Sequence, residues 1–228
     1  MDKFDSTAVA LPTNGMPRTL AARTRRIYDL LAPVYPLSTL CFHSIAHRCA
    51  LDAAGIRDGM RVLEVATGSG EMFRRLVRAN PGGSTVGIDL SPNMAARAQR
   101  TAREEFPASN SHCQAVDARR MPFRDESFDA VVCCYLLELL SPEDIVQTVD
   151  ELHRVLRRRG CLALVMIGQS TPGFNRIYKV LGSIVPAFWG RQVERSIPAV
   201  VEAKEFKILS DRVVKQSFYP SRVLTARK

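Results

Sequence analysis

Val62-Leu63-Glu64-Val65-Ala66-Thr67-Gly68-Ser69-Gly70 is the stretch that decides the fold. A β-branched run from Arg61 to Ala66 enters a glycine-containing turn, and Glu71 to Ala79 reads as the helix that follows. A strand feeding such a turn lets a ligand come close to the backbone, and the helix N-terminus behind it offers free N–H donors. Downstream, Asn80-Pro81-Gly82-Gly83 stops the helix and Ser84 to Leu90 forms a second strand. Ser91-Pro92 opens the next helix, with Ser at the N-cap and Pro at the first helical position. Ser111 to Val116 and Phe128 to Cys134 read as the third and fourth strands. Ser141-Pro142-Glu143-Asp144 starts a helix to about Arg157, and Cys161 to Ile167 is the fifth strand. Strands separated by helical crossovers imply a parallel sheet covered on both faces. Phe206 to Lys215 and Ser217 to Ala226 lie too close together for another crossover, so an antiparallel hairpin is expected there. The expected fold class is α/β, Rossmann-like, a mostly parallel seven-stranded sheet with helices on both faces and a C-terminal antiparallel hairpin.

Around that core the chain divides into four parts. Residues 1–17, with Pro12, Asn14-Gly15 and Pro17, read as a flexible tail, and residues 18–60 as an N-terminal helical cap broken at Pro33 and Pro36. Residues 61–167 form the ligand-binding core. Residues 168–228 hold a helical stretch at about 173–203, then the final strand pair. The 228 residues suit one ordinary domain with additions. Hydrophobic residues at 46% and charged residues at 24% fit a soluble globular chain. No apolar run approaches the roughly 20 residues that cross a bilayer. Met1-Asp2-Lys3-Phe4-Asp5 lacks the apolar h-region of a secretory signal.

Six cysteines, at 41, 49, 113, 133, 134 and 161, form no C-x-x-C pair, and four lie in apolar strand-like stretches. A reduced, cytoplasmic setting follows. Cys41-x-His43-x3-His47-x-Cys49 has the residue types of a metal site. On a helix at about 100° per residue, however, the two histidines share one face and the cysteines fall on the other. No metal is expected, and the histidines are expected to line a pocket or lie on exposed helix surface.

Nineteen residues after Gly70, Asp89 ends the second strand, where a carboxylate accepts both hydroxyls of a ribose. The cofactor is not expected to be a dinucleotide. Gly68-x-Gly70 is followed by Glu71-Met72-Phe73, so the third glycine of G-x-G-x-x-G is missing, and Glu71 stands where a pyrophosphate needs positive field.

Taken together, these segments resemble the class I S-adenosyl-L-methionine (SAM)-dependent methyltransferases. Glu64 to Gly70 is similar to their first motif, and Asp89-Leu90-Ser91-Pro92-Asn93-Met94 to their ribose-binding segment. Val116-Asp117-Ala118 with Met121-Pro122-Phe123 resembles the adenine loop. Phe128 to Tyr135 resembles the fourth-strand motif, and Val155-Leu-Arg-Arg-Arg-Gly160 the turn before the fifth strand. The resemblance implies SAM as cofactor and a set of contacts. Ala66, Thr67, Gly68, Ser69 and Gly70 bring backbone to the methionine part, with Glu64 behind, near its amino group. Asp89 binds the ribose hydroxyls, and Leu90 and Met94 flank the adenine. Asp117 accepts from the adenine amino group, Ala118 N–H faces a ring nitrogen, and Cys134 closes the site through its backbone.

Within that family the chain is similar to the ubiquinone/menaquinone C-methyltransferases and the bacterial phospholipid N-methyltransferases. Ala66-Thr67-Gly68-x-Gly70 and Tyr28-Asp29-x2-Ala32-Pro33-x-Tyr35 carry that likeness. Where the quinone enzymes have an Arg-Asn pair after the fourth strand, this chain has Glu138-Leu139. The resemblance implies methyl transfer to a small lipophilic acceptor, a quinone precursor, phospholipid amine or similar metabolite, by in-line displacement. Catalytic candidates are Tyr28, Tyr35, Tyr135 and Glu138, with Tyr28 and Tyr35 expected to cover the cofactor. His43 and His47 lie near the expected mouth. An RNA methyltransferase and a non-catalytic SAM-binding protein are the alternatives. Nucleic acid is not the expected partner, because the chain lacks an N/D-P-P-Y/F motif after the fourth strand and an appended RNA-binding module.

The formal net charge of +9 sits mainly in residues 161–228, with 11 basic and 4 acidic groups, whereas residues 61–160 carry 14 of each. The cofactor-binding part is therefore neutral. Phe174 to Trp189 is amphipathic, with Arg176 and Lys179 among apolar positions, and reads as a helix packed on the sheet, an interfacial membrane segment or the wall of a lipophilic pocket; the resemblance implies a substrate-facing cover there. A lipophilic or anionic substrate, and peripheral contact with an anionic inner membrane surface, are expected of this third.

Overall fold

The computed structural model describes residues 35–169, 193–216 and 220–228, with side chains from Ile45 onward. Helix α1 (Tyr35–Ala54) precedes β1 (Arg61–Val65), α2 (Glu71–Ala79), β2 (Ser84–Asp89), α3 (Pro92–Glu105) and β3 (Asn110–Ala115). Strand β4 (Phe128–Cys134), a 3-10 turn (Leu137–Leu139), α4 (Pro142–Val155) and β5 (Leu156–Ile167) follow. Helix α5 (Ile197–Ala203), β6 (Lys207–Val214) and β7 (Ser221–Arg227) complete the described elements. All seven strands form one sheet in the order β3-β2-β1-β4-β5-β7-β6. The first five are parallel, and β7 runs antiparallel between β5 and β6.

Both faces of the central strands are covered, which is why β1 and β4 read as nearly continuous apolar runs. Alternate residues serve opposite cores. Leu63, Val65, Val131 and Leu164 pack with Val149 and Leu152 of α4 and Ile197 and Val201 of α5. Val62, Val132, Ala163 and Val165 pack with Ala46 and Ala50 of α1 and Met72 and Leu76 of α2. The expected caps are present: Ser91 Oγ accepts from Met94 N (3.2 Å) and Ser141 Oγ from Asp144 N (3.1 Å), each followed by Pro. Such a cap contributes about 1 kcal/mol.

Several expected boundaries move. Helix α4 ends at Val155 rather than near Arg157, and β5 starts at Leu156, five residues ahead of Cys161. Val155 to Gly160 is therefore no turn. Fully buried Leu156 pairs with Phe128, and a register shift between Phe128 and Ala130 accommodates the extra residues. Within that irregularity Arg159 has φ 63°, and its N–H donates to Lys228 O at 2.9 Å. Strand β3 begins one residue earlier than expected, at Asn110. Pro36 does not break α1. It lies in the first turn, where no N–H is needed. His47 of α1 is not on an exposed surface; it is 3% exposed. The expected cover, Phe174 to Trp189, lies outside the described residues, as do the 1–17 tail and Tyr28. Among the described residues no helix is long and apolar enough to cross a membrane.

Candidate functional site

The C-terminal ends of β1, β2, β4 and β5 meet along one edge of the sheet, and the candidate residues gather there. Strand β1 stops at Val65 because Ala66 turns to φ 65°. Ala66 N and Thr67 N then both donate to Ile88 O (2.8 and 3.1 Å), and Gly70 N donates to Thr67 O at 2.8 Å. Gly70 is required twice over. Its φ is 84°, and a Cβ there would stand 3.0 Å from Ala98 Cα, since α3 crosses directly beneath the turn. Gly87 on β2 likewise leaves room for Thr67, whose Cγ2 would be 2.6 Å from a Cβ at that position.

Asp89 ties this turn to the next helix. Its Oδ2 accepts from Gly68 N at 2.8 Å and its Oδ1 from Ser91 N at 2.9 Å. Glu64, 1% exposed, lies behind the turn with Oε2 unpartnered among the described residues. Burial, then the nearby Asp89 and Glu71 carboxylates, push its carboxyl well above the usual range. Glu71 itself is paired with Arg74 (3.0 Å) and Arg75 (2.9 Å). Buried Thr67 keeps an unpartnered Oγ1, and Ser69 is partly buried.

Leu90 is partly buried and Met94 fully so, both at the start of α3. Asp117 faces Arg119, which reaches it through N (2.9 Å), Nε (2.9 and 3.2 Å) and Nη2 (2.6 Å), while Nη1 reaches Asp144 at 2.9 Å. Burial alone would raise the Asp117 carboxyl, but the Arg119 hydrogen bonds outweigh it and hold the group below its ordinary value. Ala118 is partly buried beside the core. Arg119 is a site residue the sequence reading passed over, although its i+2 spacing from Asp117 was the available signal.

On the other side of β4, Cys134 is 8% exposed and Tyr135 takes φ 55°. Tyr135 Oη lies 2.7 Å from Ser221 Oγ, and Gln216 Nε2 donates to both Ser221 Oγ (2.6 Å) and Tyr135 Oη (3.3 Å). Burial pushes the phenol above its ordinary range, against the lowering effect of these hydrogen bonds. The His47 ring centroid lies 6.1 Å from that of Tyr135. Glu138, 2% exposed in the 3-10 turn, accepts from Ile167 N at 2.5 Å through Oε1 and leaves Oε2 unpartnered. Burial pushes its carboxyl up to about 7, opposed by backbone hydrogen bonds and reinforced by Glu194. The side chains of Tyr35 and His43 lie outside the described set. Ser221, Gln216 and Glu194 were not expected here. The long-range pairing of β7 with β5 places Ser221, Gln216 reaches it from just past β6, and no local pattern marks either. Among the described residues no His/Cys/Asp/Glu group has the arrangement of a metal site.

A profile described as a methyltransferase domain matches residues 62–160. A 2-phytyl-1,4-naphtoquinone methyltransferase of Nostoc sp. is 31% identical over 148 residues, 63% of this chain and 64% of that protein. A demethylmenaquinone methyltransferase of Thermus thermophilus is 31% identical over 165 residues, 68% of this chain and 72% of that protein. The chain spans 63–64% of the length of the first curated relatives it matches. Among solved structures, the cyclase SpnF superposes with TM-score 0.76 at 20% identity, covering 94% of this chain and 98% of that one. That likeness concerns the fold alone, since one fold hosts unrelated chemistries.

Proposed function

The chain belongs to the SAM-dependent methyltransferase family, and we propose that it moves the methyl group of SAM to a small lipophilic acceptor by in-line displacement. The observation that carries this reading is buried Glu64, with its unpartnered Oε2 beside Asp89 and Glu71. Such a carboxyl is costly without a partner, and a ligand bearing an ammonium and a sulfonium supplies one. The residues present fit that group. Glu64 and the backbone from Ala66 to Gly70 would hold its amino-acid end, and Asp89 its ribose hydroxyls. Leu90 and Met94 would flank the adenine, Asp117 and Ala118 would meet the ring edge, and Cys134 would close the site. When bound, the cofactor supplies an electrophilic methyl carbon.

The chain's own part is alignment and exclusion of water, worth roughly 7–11 kcal/mol when the nucleophile is held in line. Tyr135 is suited to positioning rather than to proton removal, because its hydroxyl is tied to Ser221 and Gln216 and resists ionisation. Glu138 is the better proton acceptor. The relatives' names are those of enzymes acting on isoprenoid-bearing rings, which supports a lipophilic acceptor. A ring carbon and an amine are both compatible with that class. Exposed Leu209 and Val213 on the outermost strand, beside Lys207, Arg212 and Lys215, support contact with an anionic lipid surface.

The deciding experiment is calorimetric titration with SAM and S-adenosylhomocysteine. It is followed by incubation with methyl-labelled SAM and a fractionated lipid extract. Micromolar binding and label in a lipid fraction are expected; no binding of either nucleoside overturns the reading.

A further inference from the structure

Two buried glutamates approach the end of β5, which β4 separates from the strand of the candidate cofactor turn, and the Glu194 charge acts on Glu138. Glu138 reaches that strand end from the 3-10 turn after β4 and accepts from Ile167 N at 2.5 Å. Glu194 reaches it from the segment before α5, where its carbonyl accepts from Arg222 Nη1 at 2.6 Å. Arg222 pairs with Met166, the neighbour of Ile167, so both acids are anchored at adjacent rungs of one strand. Each is only 2% exposed. Among the described residues Glu138 Oε2, Glu194 Oε1 and Glu194 Oε2 have no hydrogen-bond partner. Arg222 does not supply one: its Nε and Nη2 are bound to Asp211 (2.7 and 2.5 Å) and its Nη1 to the Glu194 carbonyl.

Three buried acceptor oxygens with no donor, on two groups that repel one another, are expensive. An uncompensated buried ion costs several kcal/mol. Glu138 has a structural use for one oxygen, but that use does not account for Glu194, neither of whose oxygens is employed. The position is next to the chemistry. Cys134, at the end of β4, senses both Glu64 on one side and Glu138 on the other, and β4 is the strand between them.

We propose that Glu138 and Glu194 form the acceptor subsite and receive the ammonium group of a lipophilic amine, a proposal that rests on the methyltransferase reading of the same site. A primary ammonium brings three N–H donors and a positive charge to three acceptor oxygens on two acidic groups. A phenol or hydroquinone brings one donor per hydroxyl and no charge, and leaves the pair uncompensated. Before transfer, one N–H proton passes to Glu138 Oε2: an N–H bond breaks, an O–H bond forms, and the nitrogen lone pair is freed for attack. Burial already favours the protonated form of Glu138, which suits it to hold that proton.

The test is calorimetric titration of the full chain, with and without S-adenosylhomocysteine, using decylamine, decanol and 1-naphthol below their micellar or solubility limits. Decylamine is expected to bind at least tenfold more tightly than either hydroxyl compound. Glu138→Gln and Glu194→Gln are each expected to remove that preference while leaving decanol and S-adenosylhomocysteine affinities in place. Should one variant fail to fold, the other carries the test. Equal affinity for decylamine and decanol, tightest binding of 1-naphthol, or a preference that survives both variants overturns the proposal. Loss of S-adenosylhomocysteine binding by the native chain counts against the methyltransferase reading instead, since the amine preference is read in either condition.

Discussion

The Asp89 carboxylate accepts the Gly68 N–H at 2.8 Å, so the last residue of β2 fixes the turn that leaves β1. Its second oxygen holds Ser91 N at 2.9 Å, at the entry to α3. One side chain thus shapes both loops of the candidate cofactor site.

Replacing Asp89 with Ala leaves both N–H groups without their acceptor. Stability is expected to fall by about 1–3 kcal/mol, the cost of unmaking such bonds in a partly buried place. S-adenosylhomocysteine affinity is expected to fall at least tenfold. Urea unfolding and calorimetry measure the two effects, and unchanged affinity would refute the assignment of Asp89 to the ribose.

Gly70→Ala places a side chain at φ 84° and within 3.0 Å of Ala98 Cα. A loss of about 1–3 kcal/mol is expected, read as a lower urea midpoint. Adding Ala98→Gly removes only the Ala98 Cβ contact at 3.1 Å, so the double variant should recover part of the loss and not all of it.

Glu138 makes stability depend on pH in a defined direction. Its carboxyl titrates near 7 in the folded chain against 4.5 for an ordinary glutamate. Between those values the folded state holds more protons than the unfolded one, so stability falls as pH rises through the window and levels off above it. The drop is on the order of 3 kcal/mol. Buried Glu64 acts in the same direction. Urea midpoints at pH 5 and pH 8 should differ accordingly in the native chain, and Glu138→Gln should flatten the difference.

Tyr135→Phe removes one member of the Ser221–Gln216 network but leaves those two residues bonded to each other. A loss of about 1 kcal/mol in stability is expected. Methyl transfer should persist within tenfold with an unshifted pH profile. A profile that loses its rise with increasing pH would make the phenol the proton acceptor after all.

Charge on β6 should be visible at a lipid surface. The chain is expected to bind vesicles containing anionic lipid at low salt and to leave them at high salt, with Lys207→Glu/Arg212→Glu weakening the contact severalfold. Sedimentation with vesicles reads this, and indifference to lipid charge would end the idea.

The fold was legible because its signals are local. The turn glycines, the Ser-Pro caps at 91 and 141 and the apolar strands each announce themselves within a few residues. The start of β5 was not, since Arg157, Arg158 and Arg159 look like a loop until Leu156 is seen to pair with Phe128. The residues proposed for the cofactor were placed by local pattern for the same reason: Glu64 and Asp89 lie near strand ends, and Gly68 and Gly70 in the turn that follows β1. The acceptor side was mostly hidden. Ser221 and Gln216 meet Tyr135 across 86 and 81 residues of chain, and Glu194 acquires meaning only through its burial opposite Glu138.

The place of β7 has a consequence for how the molecule is made. Among the described strands β7 comes after β6 in the chain yet lies inside the sheet, between β5 and β6. A nascent chain that has reached Val214 carries β6 with no neighbour to join and β5 with one side of its backbone open. Translation must run through Arg227 before that edge is sealed. Until then the growing polypeptide offers the apolar β5 edge to any other strand it meets, and a pause between β6 and β7 is the moment when a chaperone matters most.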